Sequence, residues 1–521
     1  MSASRFDEYL TWRCLLDDPV VELDLSHSGL TQQDLADRRP ALERALAAMT
    51  ELESGAIANP DEHRMVGHYW LRSPGFAPDE AIQDNIVEAV AVVEGFARRV
   101  HSGEVMSKEG DRFRRVLVCG IGGSALGPML VADVFDGPEA PMEVRVLDNT
   151  DPEGIDRIVA RLGSLRDVLV LVISKSGGTP ETRNAMLELM HACRLENLDF
   201  PSRAVAITGE GSALDERAKE EGWISCFPMW DWVGGRTSVF SAVGLLPAAL
   251  QGVDVRGLLA GAAAMDASTR DPDPSRNPAA LLALFWHAES DGRGSRDMVV
   301  LPYRDRLLLF SRYLQQLVME SLGKSKDRQG ADVHQGLSVY GNKGSTDQHA
   351  YVQQLRDGLH NFFVVFVRVL ADRQGQDVFV DEDATSGDYL DGFWQGTREA
   401  LLDGGRHSAT ITLEQLDERS LAALIALFER AVGIYAELID VNAYHQPGVE
   451  AGKTAAARVL KLQAQVLGEL DEAPRTAQQI ADALGVEPLD VWSILCHLAA
   501  NRDGIHGGGM FDPAQSTFRR V

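Results

Sequence analysis

Basic residues are in short supply in this chain: 50 Lys and Arg stand against 77 Asp and Glu, a formal net charge of −27. That deficit excludes bulk electrostatic attraction to nucleic acid or to an anionic membrane, while leaving room for a locally basic pocket. No nucleic-acid or membrane partner is expected. Cysteine is also rare. The five cysteines, Cys14, Cys119, Cys193, Cys226 and Cys496, are scattered, odd in number and without metal-ligand spacing. They read as reduced thiols of a cytoplasmic protein, and no metal site is expected. No apolar run approaches the roughly 18 residues of a bilayer span. The first residues carry Arg5, Asp7 and Glu8 rather than the apolar segment of a signal peptide.

What the chain has is length and alternation. Its 521 residues exceed one domain of about 100–200 residues. Residues 1–112 show three-to-four-residue apolar spacing, as in Ile82-x-x-Asn-Ile86-x-x-Ala89-x-x-Val92, and read as a helical region. From 113 to 275 apolar runs at 115–119, 143–148, 168–173, 204–208 and 224–228 alternate with helix-length segments, which predicts a doubly wound parallel sheet. The stretch Asp271 to Pro278 reads as a linker to a second α/β domain over 276–457, with strands at Met298–Pro302 and Phe362–Val367. Residues 458–521 form a helical appendage. Within it, Thr476 to Gly485 and Leu489 to Leu498 resemble a helix-turn-helix with a β-wing, yet the second helix has no basic residue before Arg502. A DNA reader needs such residues to neutralise phosphates, so a packing or dimerisation role is expected instead.

Two loops carry the first chemical signal. Val116 to Cys119 reads as a buried strand, followed by Gly120-Ile-Gly-Gly-Ser124 and a helix. Strand, glycine loop and helix aim backbone N–H groups and a positive helix end at an anion. Alone this is weak, because Gly120-x-Gly122-x-x-Ala125 also passes for a dinucleotide fingerprint, for which Asp148 is a late acidic candidate. The second loop is more telling. The run Val168–Ile173 leads into Ser174-Lys-Ser-Gly-Gly-Thr179, whose hydroxyls suit the several acceptor oxygens of a phosphate monoester. Two such loops at strand ends of one sheet point to a sugar phosphate.

Further along, Asp231 to Ser241 contains a glycine turn delivering Arg236 at a helix start. A helix from Arg306 to Leu322 carries Gln316 and Glu320 four apart, on one face, with Gly323 placed to end it. Ser345-x-x-Gln348 has capping-box spacing, which would put His349 in a helix's first turn, where the dipole disfavours the imidazolium. The last such stretch is His445 to Lys453.

With these pieces in order, the chain resembles the phosphoglucose isomerase (glucose-6-phosphate isomerase) family. The matching motifs are Gly120-Ile-Gly-Gly-Ser124-x-Leu-Gly-Pro128, Ser174-Lys-x-x-x-Thr179-x-Glu-Thr182, Gly234-Gly-Arg236-x-Ser-x-x-Ser241, Met319-Glu-Ser-x-Gly-Lys324, Gln348-His-Ala350 and Gln446-x-Gly-Val-Glu-x-Gly-Lys453. The resemblance implies an α/β fold of two doubly wound parallel-sheet sugar-isomerase (SIS-type) domains, with an N-terminal helical region and a small winged-helix-like C-terminal appendage. It implies reversible isomerisation of glucose 6-phosphate and fructose 6-phosphate through a cis-enediol, with no metal or organic cofactor. The implied partners are the hexose 6-phosphate substrate and a second copy, in a homodimer.

The resemblance also assigns roles. Glu320 matches the base that moves a proton between adjacent carbons, a task for a carboxylate within hydrogen-bond reach. Arg236 matches the cation that stabilises the enediolate. His349 and Lys453 match the ring-opening pair, His349 being donated across the dimer interface. Substrate binding falls to Gly123, Ser124, Ser174, Lys175, Ser176, Thr179, Gln316 and Gln446, with Lys175 offering its backbone N–H as much as its charge. Two features depart from the family pattern. Ser174-Lys-Ser-Gly-Gly-Thr179 replaces a Ser-Lys-Thr-Phe-Thr-Thr loop and looks like divergent bacterial members, and the C-terminal extension is additional. Two alternatives use the same residues: an isomerase also accepting mannose 6-phosphate, and a non-catalytic sugar-phosphate sensor.

Overall fold

A computed structural model of the chain describes residues 4–507 and 512–521, the side chains of 449–451 and 453 excepted. The chain divides into two compact units, one up to His445 and one from Gln446 onward.

The first unit opens with a hairpin, β1 (Arg13–Asp17) and β2 (Val20–Asp24), and then two long helices, Gln32–Glu53 and Glu80–Ser102. Thr31 starts the first of these: its hydroxyl accepts from Asp34 N while the Asp34 carboxylate accepts from Thr31 N. A five-stranded sheet follows, built from β3 (Arg115–Cys119), β4 (Glu143–Leu147), β5 (Val168–Ile173), β6 (Ala204–Thr208) and β7 (Ser225–Pro228). Its order is β4-β3-β5-β6-β7, every pair parallel. Helices cover both faces, which is why these strands are continuous apolar runs rather than alternating ones. Val118 and Leu171 join the larger hydrophobic core, while their neighbours Leu117 and Val170 join a second one with Met186 and Leu189.

The second sheet takes β8 (Asp297–Pro302), β11 (Val339–Tyr340), β12 (Phe362–Val369) and β13 (Ser408–Leu413) in parallel. A small separate hairpin, β9 (Lys324–Lys326) and β10 (Asp332–Gln335), lies between β8 and β11 in sequence. The full order is β1-β2-β13-β12-β8-β11, so the N-terminal hairpin extends this sheet, β2 running antiparallel to β13. The region read as helical thus also supplies two strands, and Leu23 pairs with Ile411 nearly 400 residues away. The stretch read as a linker is a pinned turn. Asn277 is fully buried, its amide donates to Thr269 O and Asp271 O, and its Oδ1 caps the helix Pro278–Glu289.

The helices of the first unit also hold a buried charge network. Arg72 donates to both Asp266 oxygens at 2.7 and 2.8 Å and pairs with Glu429; Arg430 bridges Asp266 at 2.9 Å and Glu53 at 2.5 Å. Burial acts against the Asp266 carboxylate, yet Arg430 and Arg72 hold it well below the usual range. Glu429 has the opposite balance: burial outweighs Arg72 and pushes it up to about 7, from 4.5. Because the folded-state value is the raised one, the stability it confers is fully present below pH 4.5 and lost as pH rises through 7. At about 1.4 kcal/mol per unit, up to about 3 kcal/mol is at stake. Glu429→Gln is therefore expected to flatten this loss, melting above wild type at pH 8 and not at pH 5; equal shifts at both pH values would contradict the assignment.

The second unit comprises the helices Pro447–Glu469, Ala477–Leu484 and Pro488–Asn501 and a sheet of β14 (Arg475–Thr476), β15 (Ile505–Gly507) and β16 (Thr517–Arg520), ordered β14-β16-β15 and antiparallel. Its own core includes Val466, Ile480, Val491, Leu495, Leu498 and Phe518. Residue 458, the expected start of the appendage, falls inside the first of these helices. Among the described residues, no helix is long and apolar enough to cross a membrane.

Candidate active site

The strand order of the first sheet puts its topological switch between β3 and β5, whose carboxyl ends lie side by side, Cys119 opposite Val172. Crevices at such points are where doubly wound sheets bind ligands. Both loops sit there. After β3, Gly122 takes φ +58° and opens the helix Gly123–Val134 without a side-chain cap. The helix's first N–H groups are thereby left to an anion. Ser124 follows, half-buried. After β5, the Ser174 hydroxyl lies 3.0 Å from that of Thr179, and Thr208 Oγ1 donates to Ser174 O at 2.6 Å. Ser176 is exposed, its oxygen accepting from Gly178 N. Thr179 opens the helix Pro180–Leu195, again with no side-chain cap.

Lys175 leaves this loop sideways. Its ammonium donates to Asp231 O at 2.9 Å and Val233 O at 3.1 Å, the carbonyls just before Gly234-Gly235-Arg236. That turn packs on the first loop so closely that a β-carbon on Gly123 would lie 1.9 Å from Gly235 O. Gly123 is thus required for the approach of the Arg236 turn.

Arg236 is 6 % exposed. It donates to His445 O at 3.2 Å and to Ser321 Oγ at 3.5 Å, and its Nε lies 3.6 Å from Glu320 Oε2. Burial lowers its pKa, opposed by Glu320 and Glu62. Glu320 ends a π-helical turn, Gln315–Glu320, within a helical segment starting at Phe310; residues 305–307 are a separate 3-10 turn. Gly323 follows, as the sequence suggests, and π turns of this kind recur at functional sites. Gln316 Nε2 donates to Glu320 Oε2 at 2.9 Å and also lies against Gly122, 3.0 Å from where a β-carbon would stand. Glu320, Gln316, Arg236, the first glycine loop and, through Lys175, the second loop therefore converge.

Two titratable groups here received no role from the sequence. Lys324, 5 % exposed, caps the helix by donating to Glu320 O at 2.7 Å and Ser321 O at 2.8 Å. Burial first, then Arg236, pushes its pKa down to about 7, with Glu320 opposing. His445 is lowered by burial and by Lys324, and its Nε2 lies 3.8 Å from Asp61 Oδ2. The available signal was position: Lys324 closes the Glu320 motif and His445 precedes Gln446.

His349 is not brought to this cluster. It is exposed at the end of a 3-10 turn, Thr346–His349, and no hydrogen bond or ion pair joins it to Glu320 or Arg236 among the described residues. The capping box does not form: Ser345 makes no side-chain cap, and the Gln348 amide goes to Thr397. Asp347, 2 % exposed, organises the turn instead, accepting from Asn342 N, Lys343 N and Tyr351 Oη at 2.9, 3.0 and 2.6 Å. Gln446 begins the second unit, and the side chain of Lys453, within the helix Pro447–Glu469, lies outside what the structure describes. Asp148 pairs with Arg312 at 2.9 Å.

A family model described as phosphoglucose isomerase matches residues 24–387 and 397–476. The chain is 57% identical over 502 residues to a glucose-6-phosphate isomerase of Citrifermentans bemidjiense, covering 95% of this chain and 94% of that protein. It is 56% identical over 509 residues to one of Synechococcus sp. (strain JA-3-3Ab), covering 96% and 95%. Among solved structures, a glucose-6-phosphate isomerase from Chlamydia trachomatis shares the fold, with a TM-score of 0.80 at 24% identity over 88% of this chain and 91% of that one. A hypothetical protein from Thermus thermophilus gives 0.72 at 28% identity, covering 84% and 99%.

Proposed function

The chain belongs to the phosphoglucose isomerase family, and from that premise we propose how the cleft at the β3–β5 switch point carries out its chemistry. The protein is an enzyme, an aldose–ketose isomerase interconverting glucose 6-phosphate and fructose 6-phosphate. The phosphate rests on the backbone N–H groups of Gly123 and Lys175 and the hydroxyls of Ser124, Ser174, Ser176 and Thr179. Such preorganised donors hold an anion without reorganising. Lys453 and His349 move protons between the ring oxygen and the anomeric hydroxyl, opening the sugar. Glu320 takes the proton from C2 and returns it to C1, while the hydroxyl proton passes from O2 to O1. Arg236 faces the negative charge that builds on those oxygens in the enediolate. Gln316, with Gln446, orients the open chain.

One observation carries this assignment: a carboxylate held by Gln316 at 2.9 Å and set 3.6 Å from a buried guanidinium, beside the glycine loop. Turnover of fructose 6-phosphate by purified protein, read through a glucose-6-phosphate dehydrogenase couple, tests the reaction. Binding without turnover would favour a sensor, and equal turnover of mannose 6-phosphate a broader isomerase.

The exposure of His349, with no hydrogen bond or ion pair to Glu320 among the described residues, favours a homodimer in which each subunit lends this side chain to the other. Residues 113–275 and 276–457 would then be the two sugar-isomerase domains of each subunit. The five free cysteines favour a reducing, cytoplasmic setting. Mixing and reassociating two inactive variants, Glu320→Gln and His349→Ala, is expected to restore about a quarter of wild-type activity, because half the dimers are hybrids with one intact site. No recovery after proven subunit exchange would place His349 in its own subunit's site.

A further inference from the structure

The Lys175 ammonium has three N–H donors, and carbonyls of the Asp231–Val233 turn accept from two of them. The acceptors are Asp231 O and Val233 O, and the Asp231 carboxylate lies 3.6 Å away. The carbonyl between them, Trp232 O, accepts from Gly67 N at 2.9 Å. Trp232 stacks on Trp230 with ring centroids 4.9 Å apart and planes 8° from parallel, and its ring centroid lies 5.4 Å from that of Trp70. Three consecutive carbonyls are thus all engaged, two of them by one side chain from the phosphate loop. Three residues after the last of them comes Arg236, whose turn also presses on Gly123.

We infer that the Lys175 ammonium is a positioning group, tying the second phosphate loop to the Arg236 turn, rather than a ligand of the substrate phosphate. Through that tie, the anion site and the enediolate-facing cation keep a fixed separation. The substrate phosphate is left to the backbone N–H of Lys175 and the neighbouring hydroxyls. This deepens the isomerase reading and rests on it for its kinetic half.

Lys175→Met in the full-length protein separates the alternatives. A displaced Arg236 acts on the transition state more than on substrate binding, so kcat is expected to fall about 10- to 100-fold, with KM for fructose 6-phosphate within about threefold of wild type. Amide hydrogen exchange across 229–238 is expected to speed up about tenfold or more, with strand β5 unchanged. Lys175→Arg, which retains donors to the carbonyls, should recover most of both. A KM raised about tenfold or more at unchanged kcat would overturn the inference and make the ammonium a phosphate ligand; so would unaltered exchange over 229–238. If Lys175→Met does not fold, Lys175→Ala, which likewise removes the donors, gives the same two readouts. Failure of the isomerase reading would appear instead as a wild-type chain without turnover, and the exchange measurement still decides the role of Lys175.

Discussion

Glu320→Gln is expected to lower fructose 6-phosphate isomerisation by about 10²- to 10⁴-fold, the share a positioned general base supplies. The amide cannot accept the proton that leaves C1 of fructose 6-phosphate, but it preserves nearly everything else. Its oxygen still accepts from Gln316, and Arg236 keeps His445 O and Ser321 Oγ. Lys324 caps the helix through main-chain carbonyls, which the substitution does not touch. KM and the thermal midpoint should therefore change little, so the loss lies in kcat. Coupled turnover and a melting curve on the same preparation measure both. Activity within tenfold of wild type would remove Glu320 as the base, leaving Glu62, Lys324 and His445 as the other titratable groups that interact with Arg236.

The largest expected effect on stability lies away from the cleft. Asp266→Ala should destabilise the first unit by about 3–5 kcal/mol, the cost of breaking a buried ion pair by removing one partner. Asp266 is the shared acceptor of Arg72 and Arg430, all three side chains being essentially inaccessible to water. Its removal leaves two guanidiniums in the core with only Glu53 and the partly protonated Glu429 for balance. The network joins the helices Gln32–Glu53, Val255–Thr269 and Glu418–Leu438 to the short turn Trp70–Arg72. Its failure would loosen the packing between those elements. Denaturant titration is the measurement; a loss under about 1 kcal/mol would mean that the two arginines find other partners or water.

Much of the first sheet is legible in the amino-acid sequence. The spans 115–119, 168–173 and 204–208 match β3, β5 and β6, because burial on both faces demands an unbroken apolar run, a pattern local in sequence. The glycine loops and the Gln316–Glu320 spacing are equally readable, since turn geometry and helix periodicity act over a few residues. The hairpin β1–β2 is not. Its strands are five residues each, lie at a sheet edge and mix charge with apolar side chains. They gain their place only by pairing with β13, far along the chain. The cap at Ser345 fails for a related reason: Asp347 finds better donors in Asn342, Lys343 and Tyr351, and Gln348 is drawn to Thr397.

By itself, then, the sequence determined which chemical groups the protein owns and the local conformations that present them. The tertiary structure alone decided which of them meet. Gln316 against Gly122, Arg236 beside Glu320 and Lys175 under the Asp231 turn join segments dozens to nearly two hundred residues apart. Steric and hydrogen-bonding preferences of neighbouring residues fix the first kind of information. The second depends on burial and close packing among distant segments, which no local preference encodes.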